Sequence, residues 1–157
     1  MKEALKKELK KQVPDRTLSC QVLASRLSYS FNDINILEQA LVHRSFLNER
    51  EGQNMDSNER LEFLGDAVIS TIVSHLLIKR FPDADEGALS KLRARLVNEN
   101  TLAKLAMDIE LGKYLFLGKG EEFTGGRGKS SLLSDAYEAV IAAVYLDGGF
   151  ESASSLV

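Results

Sequence analysis

Residues 58–80 read NERLEFLGDAVISTIVSHLLIKR. Leu61, Phe63, Leu64, Ala67, Val68, Ile69, Ile72, Val73, Leu76, Leu77 and Ile78 cover most of the circumference of a helix drawn at 100° per residue. A helix apolar nearly all round is a central one, buried by neighbours or by a partner subunit. Phe81-Pro82 stops it, because the residue before a proline is pushed out of the α region. Asp56 is placed to cap its start, with Glu59 three residues on as in a capping box. The helix spans about 34 Å at 1.5 Å per residue.

Glu59, Glu62 and Asp66 share one stripe of this helix, at i, i+3 and i+7. Like charges at this spacing repel by roughly 0.2–0.5 kcal/mol per pair even when exposed. The cost grows when the stripe lies among apolar neighbours, so something positive should compensate. Arg60 points about 100° away from Glu59 and is poorly placed for Glu62 and Asp66. A second acidic pair, Asp135 and Glu138, lies inside SLLSDAYEAVIAAVYLDG (131–148), the other strongly apolar segment. If the two helices pack face to face, Glu62, Asp66, Asp135 and Glu138 form one cluster of four oxygen ligands. Hard divalent cations such as Mg²⁺ prefer that donor set and keep several waters. A substrate oxygen can complete the shell, with water as the nucleophile. Each acidic set alone also fits an ordinary solvated helix face. Two such sets inside the two most apolar helices point to an acidic divalent-metal site.

Helical signals also dominate the rest of the chain. Lys and Glu alternate over 2–11 around Ala4, Leu5 and Leu9, as in a short solvated helix, which Pro14 ends. Helices are predicted over 18–27 and 34–41, with a short turn of helix over 43–47 and a polar loop over 49–57. Further helices are predicted over 85–100 and 101–111, the latter closed by Gly112 as a C-cap. GKGEEFTGGRGKS (118–130) reads as a Gly-rich loop. Helix 131–148 closes at Asp147-Gly148-Gly149, and a last helix begins within 151–157. The pattern is an all-α bundle, with an N-terminal helical extension over 1–26 and one domain over 27–157.

Composition bounds the function. Of the 157 residues, 44% are hydrophobic and 27% charged, as in a soluble globular protein. MKEALKKELKKQ lacks the apolar core of a secretory signal. No uninterrupted apolar run approaches the roughly 18 residues of a membrane span, so the expectation is a cytoplasmic protein without a membrane partner. Cys20 is the single cysteine and has no internal disulfide partner; it reads as a small apolar helix residue. The net charge of −3 runs against a nucleic-acid binder. Two features offset it: the first 29 residues are locally basic, and bound divalent ions cancel carboxylate charge.

The string from Asn58 to Asp66, NERLEFLGD, resembles the signature motif of the ribonuclease III family. LSYSFNDINILEQALVHRS (27–45), FPDADEGALSKLRARLVNENTLA (81–103) and GGRGKSSLLSDAYEAVIAAVYLDGG (125–149) resemble the family's opening, central and closing segments. The resemblance implies the helical bundle of a ribonuclease III endonuclease domain, working as a homodimer. It implies hydrolysis of double-stranded RNA with Mg²⁺, or Mn²⁺ in its place, leaving 5′-phosphates and short 3′ overhangs. The implied role is RNA processing, of ribosomal RNA precursors among others. Glu62, Asp66, Asp135 and Glu138 match the four metal-binding acids, with Asp66 and Glu138 the catalytic pair. Glu59 and Glu86 match further acids considered for metal or RNA contacts. Phe63 matches the aromatic residue that enters a socket on the partner subunit. The duplex is read by A-form shape, 2′-OH and phosphate contacts. Family members usually continue into a double-stranded-RNA-binding domain, which these 157 residues do not contain; weak RNA binding by this segment is the expectation.

Two other readings compete with this one. A scaffold that keeps the fold without the chemistry should have lost acids at the site, and all four are present. A helical acidic metal-binding protein without RNA activity fits the carboxylates but not the signature string. GGRGKSS does not make a phosphate-binding P-loop, since Phe123 stands where its first Gly belongs and no strand precedes it. Arg127 and Lys129 are instead candidate contacts to RNA phosphate. His43 and His75 read as structural or exposed residues, and Arg44 as a partner for an acid or a phosphate.

Overall fold

The two segments with the longest apolar patterns become the two longest helices, and they pack on each other. The computed structural model describes residues 16–49 and 55–157; the helix expected over 2–11 lies outside the described residues. In chain order the α-helices are α1 (Arg16–Arg26), α2 (Ile34–Ala40), α3 (Arg44–Asn48), α4 (Glu59–Arg80), α5 (Glu86–Leu96), α6 (Glu99–Asp108), α7 (Lys119–Phe123) and α8 (Ser130–Ser154). Single 3₁₀ turns cover Leu111–Tyr114 and Gly126–Gly128. The only β-type pairing among the described residues is an isolated parallel bridge between Val42 and Phe116. The fold is all-α.

Helices α4 and α8 form the central pair, with α6 packed on α8 and α2 against its far end. Leu61, Val68, Ile69, Ile72, Val73 and Leu77 of α4 share one core cluster with the buried run Ala139 to Ala143 of α8. Three alanines in that run let the two backbones come close. Helix α1 adds Cys20, Leu23 and Ala24 to the same core. Burial pushes the Cys20 thiol up to about 12, so it stays a protonated, apolar group.

Local signals set most boundaries. Asp33, Asp85 and Asn98 cap α2, α5 and α6 by accepting from the backbone N–H of Asn35, Ala88 and Thr101. The cap at Asn98 shortens the helix expected over 85–100. The expected cap at Asp56 is not formed: α4 starts after Asn58, which makes no side-chain cap, and Glu59 accepts from the Ser57 hydroxyl at 2.9 Å. Gly112 is not a C-cap either. Helix α6 ends at Ile109, Glu110 takes the left-handed conformation (φ 56°), and Gly112 is buried in a 3₁₀ turn. A Cβ there would lie 2.3 Å from the carbonyl oxygen of Arg127, so close packing selects this glycine. The Gly-rich stretch 118–130 carries α7 and a 3₁₀ turn. The expected break after Asp147 is a kink within α8 at Gly149 (φ 79°, ψ −173°).

Candidate metal centre

The acids of α4 and α8 meet where the two helices come closest. A Cβ on Gly65 would lie 2.0 Å from the carbonyl oxygen of Glu138 and 2.9 Å from its Cα. Only a residue without a side chain lets α4 pass α8 at this distance. Gly65 sits between Glu62 and Asp66 in sequence, so the contact that closes the core also brings the two acidic sets together. Oxygen atoms from Glu62, Asp135 and Glu138 all lie within 4.8 Å of one another. Asp66 is exposed at the rim, and its charge bears on Glu138.

Among the described residues no cationic side chain pairs with Glu62, Asp66, Asp135 or Glu138. Burial and the charges of Asp66, Asp135 and Glu62 push the Glu138 carboxyl up to about 7. Glu62 is raised by burial and by Asp135 and Glu59, and Asp135 by burial and Glu99, with His43 opposing. Half-buried acids that resist ionisation next to one another are a site that a divalent cation would relieve. The donor set suits one: carboxylate oxygens only, as Mg²⁺ and Mn²⁺ prefer.

The other sequence candidates are placed as follows. Glu59 is exposed at the head of α4, 3.6 Å from the Arg44 guanidinium. Glu86 opens α5 and accepts from the Ser90 hydroxyl at 2.6 Å; it is not among the charges felt by Glu62, Asp135 or Glu138. Arg127 is engaged within the chain. It pairs with Glu122 and donates to the carbonyls of Gly112 (2.8 Å), Lys113 (3.3 Å) and Leu115 (3.0 Å). Lys129 pairs with Glu121 and donates to the Thr124 hydroxyl. Phe63 is 83% exposed on α4, beside a cavity of about 690 Å³ lined by Arg60, Leu64 and Leu146 among others. His75 is exposed, edge-on to Phe150.

Three residues near the centre carry no sequence signal as site residues. Glu99, at the start of α6, acts on Asp135. Glu121 and His43 act on each other, and His43 also feels Asp135. Glu99 and Glu121 stand outside any acidic stripe, and only the packing of α6 and α7 brings them near.

A family model described as Ribonuclease-III-like matches residues 33–157. The chain is 50% identical over 137 residues to Ribonuclease 3 of Syntrophobacter fumaroxidans, covering 87% of this chain and 57% of that protein. It is 53% identical over 131 residues to Ribonuclease 3 of Oleidesulfovibrio alaskensis, covering 83% and 57%. The chain thus spans little more than half the length of these relatives. The nuclease domain of ribonuclease III from Campylobacter jejuni superposes with a TM-score of 0.79 at 46% identity, over 85% of this chain and 90% of that one. With its acids gathered on the helix pair that carries the signature string, and a match that extends across α2 to α8, the chain belongs to the ribonuclease III family, in the region of the nuclease domain.

Proposed function

We propose that this chain is a divalent-metal-dependent endoribonuclease that hydrolyses phosphodiester bonds of double-stranded RNA. The observation that carries the reading is the cluster of Glu62, Asp135 and Glu138, within 4.8 Å and without a cation among the described residues. Glu62, Asp135 and Glu138 would hold Mg²⁺, or Mn²⁺ in its place, with Asp66 at the rim. A bound divalent ion there supplies Lewis-acid chemistry, activating water near neutral pH and stabilising charge on the phosphate. Burial and its acidic neighbours push the Glu138 carboxyl up to about 7, so its ionisation near neutral pH draws on that charge. Asp66, exposed beside it, is accessible to an incoming strand. Membership of the ribonuclease III family supports double-stranded RNA as the substrate class; in this reading the products carry 5′-phosphates and short 3′ overhangs, and the role is cytoplasmic processing of precursors such as those of ribosomal RNA.

The working unit in this reading is a homodimer, with Phe63 of each copy seated in the other. A large aromatic 83% exposed, lining a cavity with Leu61, Leu64 and Leu146 on its apolar side, supports it, and the C. jejuni nuclease-domain structure is described as having a region involved in dimer formation. Phe63→Ala should lower the sedimenting mass to that of one chain; an unchanged mass counts against this interface.

Long double-stranded RNA incubated with protein and Mg²⁺ at low salt tests the activity, because phosphate contacts weaken steeply as salt rises. Short duplex products from wild type, absent with EDTA and with Glu138→Gln, are expected. Products that persist with EDTA would remove the metal from the mechanism, and intact duplex in every lane would remove the activity.

A further inference from the structure

Helix α3 has an unusual cap. His43 occupies the N-cap position, and its ring nitrogen Nδ1 accepts from the Ser45 backbone N–H at 3.3 Å. Nδ1 also lies 2.7 Å from the Ser45 hydroxyl oxygen, which itself accepts from the Gly118 N–H at 2.9 Å. A backbone N–H can only donate, so Nδ1 presents a lone pair and the ring proton sits on Nε2. Burial lowers the affinity of His43 for a second proton, in keeping with a neutral ring.

The ring is fixed to the metal centre's framework on both sides. The His43 N–H donates to the Phe116 carbonyl at 3.1 Å, and the Asn58 N–H at the head of α4 donates to the Val42 carbonyl at 2.8 Å. No described residue accepts from Nε2, and no buried side-chain nitrogen among the described residues lacks a partner, so the Nε2–H opens to solvent. The charges that bear on the ring are Glu121, Arg44, Asp135 and Glu59. Lys129 holds Glu121, and Arg44 holds Glu59. Asp135 alone of the three acids has no paired cation among the described residues. A cationic side chain here would pair with a carboxylate, as Arg44 and Lys129 do. A neutral N–H stays free for an acceptor brought in from outside.

We propose that the His43 Nε2–H is a substrate-binding donor to a non-bridging phosphate oxygen of the RNA strand that lies over Asp135. This rests on the double-stranded-RNA reading above. The ring's two nitrogens then have separate duties, Nδ1 to the fold and Nε2 to the substrate, and two substitutions separate them. In His43→Asn the amide oxygen stands where Nδ1 was, keeping the cap and losing the outer donor. In His43→Gln the amide nitrogen reaches the place of Nε2, keeping the donor and losing the cap.

Initial rates on duplex RNA with Mg²⁺ give kcat and KM, and thermal melting gives the cap's contribution. His43→Asn should melt with wild type while kcat/KM falls about tenfold to a hundredfold, mainly through KM, as for loss of a hydrogen bond to a charged group. His43→Gln should melt a few degrees lower, as for loss of a cap, with kcat/KM within about threefold of wild type. The opposite order, an active Asn variant and a crippled Gln variant, would reduce His43 to a cap and overturn the proposal. Should the Asn variant melt early, its kcat/KM at a temperature where circular dichroism shows it folded decides in the same way. A wild type that leaves duplex intact overturns the nuclease reading with it; an active wild type matched by His43→Asn overturns this inference alone.

Discussion

Helix α8 carries acids at both ends of its apolar run, and they live in opposite surroundings. Asp147 is fully partnered. It accepts from the Tyr29 hydroxyl at 2.8 Å, from the Asn32 and Asp33 backbone N–H groups at 2.9 Å each, and from the Asn32 amide at 3.3 Å. Burial is the largest single influence and raises its carboxyl, but these donors together outweigh it and hold the group below the usual carboxylate range. Among the described residues Glu138 has no such donors, and burial and three acidic neighbours push it up to about 7. Asp147 ties the 29–33 loop to the end of α8 and is complete within the chain. Glu138 is completed only by a charge from outside. Donor supply, not residue type or helix, separates the structural carboxylate from the functional one.

The largest break comes from the residue that makes the unpartnered end possible. Gly65→Ala places a Cβ 2.0 Å from the Glu138 carbonyl oxygen. Backbone cannot yield as a side-chain tip can, so α4 and α8 must separate. Overpacking of this kind costs roughly 3 kcal/mol, or about 10 °C of melting temperature for a chain of this size. The separation also pulls Glu138 from Glu62, and misplacement of about 1 Å costs on the order of a hundredfold in rate. Duplex cleavage and melting should both collapse; a variant that melts normally would show that the crossing is looser than drawn.

Glu138→Gln sharpens the contrast by dividing activity from stability. Cleavage should fall at least about a hundredfold, as when one preorganised electrostatic partner of the reacting centre is removed. Metal-free stability should rise. The folded carboxyl titrates at about 7 against an ordinary value of 4.5. The folded state therefore favours the protonated form, and this stability is complete below pH 4.5 and lost as pH rises through about 7. Discounted for partial exposure, the loss is about 1 kcal/mol at pH 8, or roughly 2–4 °C. The glutamine variant should melt higher than wild type by that amount at pH 8 without metal, and level with it near pH 4.5. A lower melting temperature at pH 8 would make Glu138 a structural residue like Asp147.

The unpartnered end was easier to read from the sequence than the partnered one. Glu62, Asp66, Asp135 and Glu138 announce themselves because each pair interrupts an apolar helix, where an unpaired acid is costly. The two helices were legible too, with Gly65 the residue that lets them meet. Asp147 was read only as part of a helix-closing Asp-Gly-Gly, since its donors come from Tyr29, Asn32 and Asp33 at the other end of the chain. Arg127 and Lys129 show the reverse error. A basic, Gly-rich loop suggests phosphate, but Arg127 is drawn inward by loop carbonyls whose orientation no local pattern records. His43 hides for the same reason: histidine is not a usual cap, and its role depends on Ser45 and Gly118.

Asp147→Asn is the mildest break and tests the other side of the comparison. The amide cannot accept at both positions where the carboxylate does, so the Asn32 and Asp33 N–H groups compete for one oxygen. Charge-assisted hydrogen bonds of this kind are worth roughly 1.5–3 kcal/mol where buried, and solvent around the 29–33 loop reduces this to about 1 kcal/mol. Melting at pH 7 should fall by roughly 2–4 °C, with kcat and KM unchanged because the loop lies away from the acids. The pH dependence runs opposite to that of Glu138. A depressed folded carboxyl contributes stability above its ordinary value of 3.8, lost as pH falls through the folded one. Wild type and Asp147→Asn should therefore stay apart above the ordinary carboxylate value and draw together as pH falls through the depressed folded one. A gap that stays constant down to pH 2 would mean that side-chain packing, not the charge on Asp147, anchors the loop.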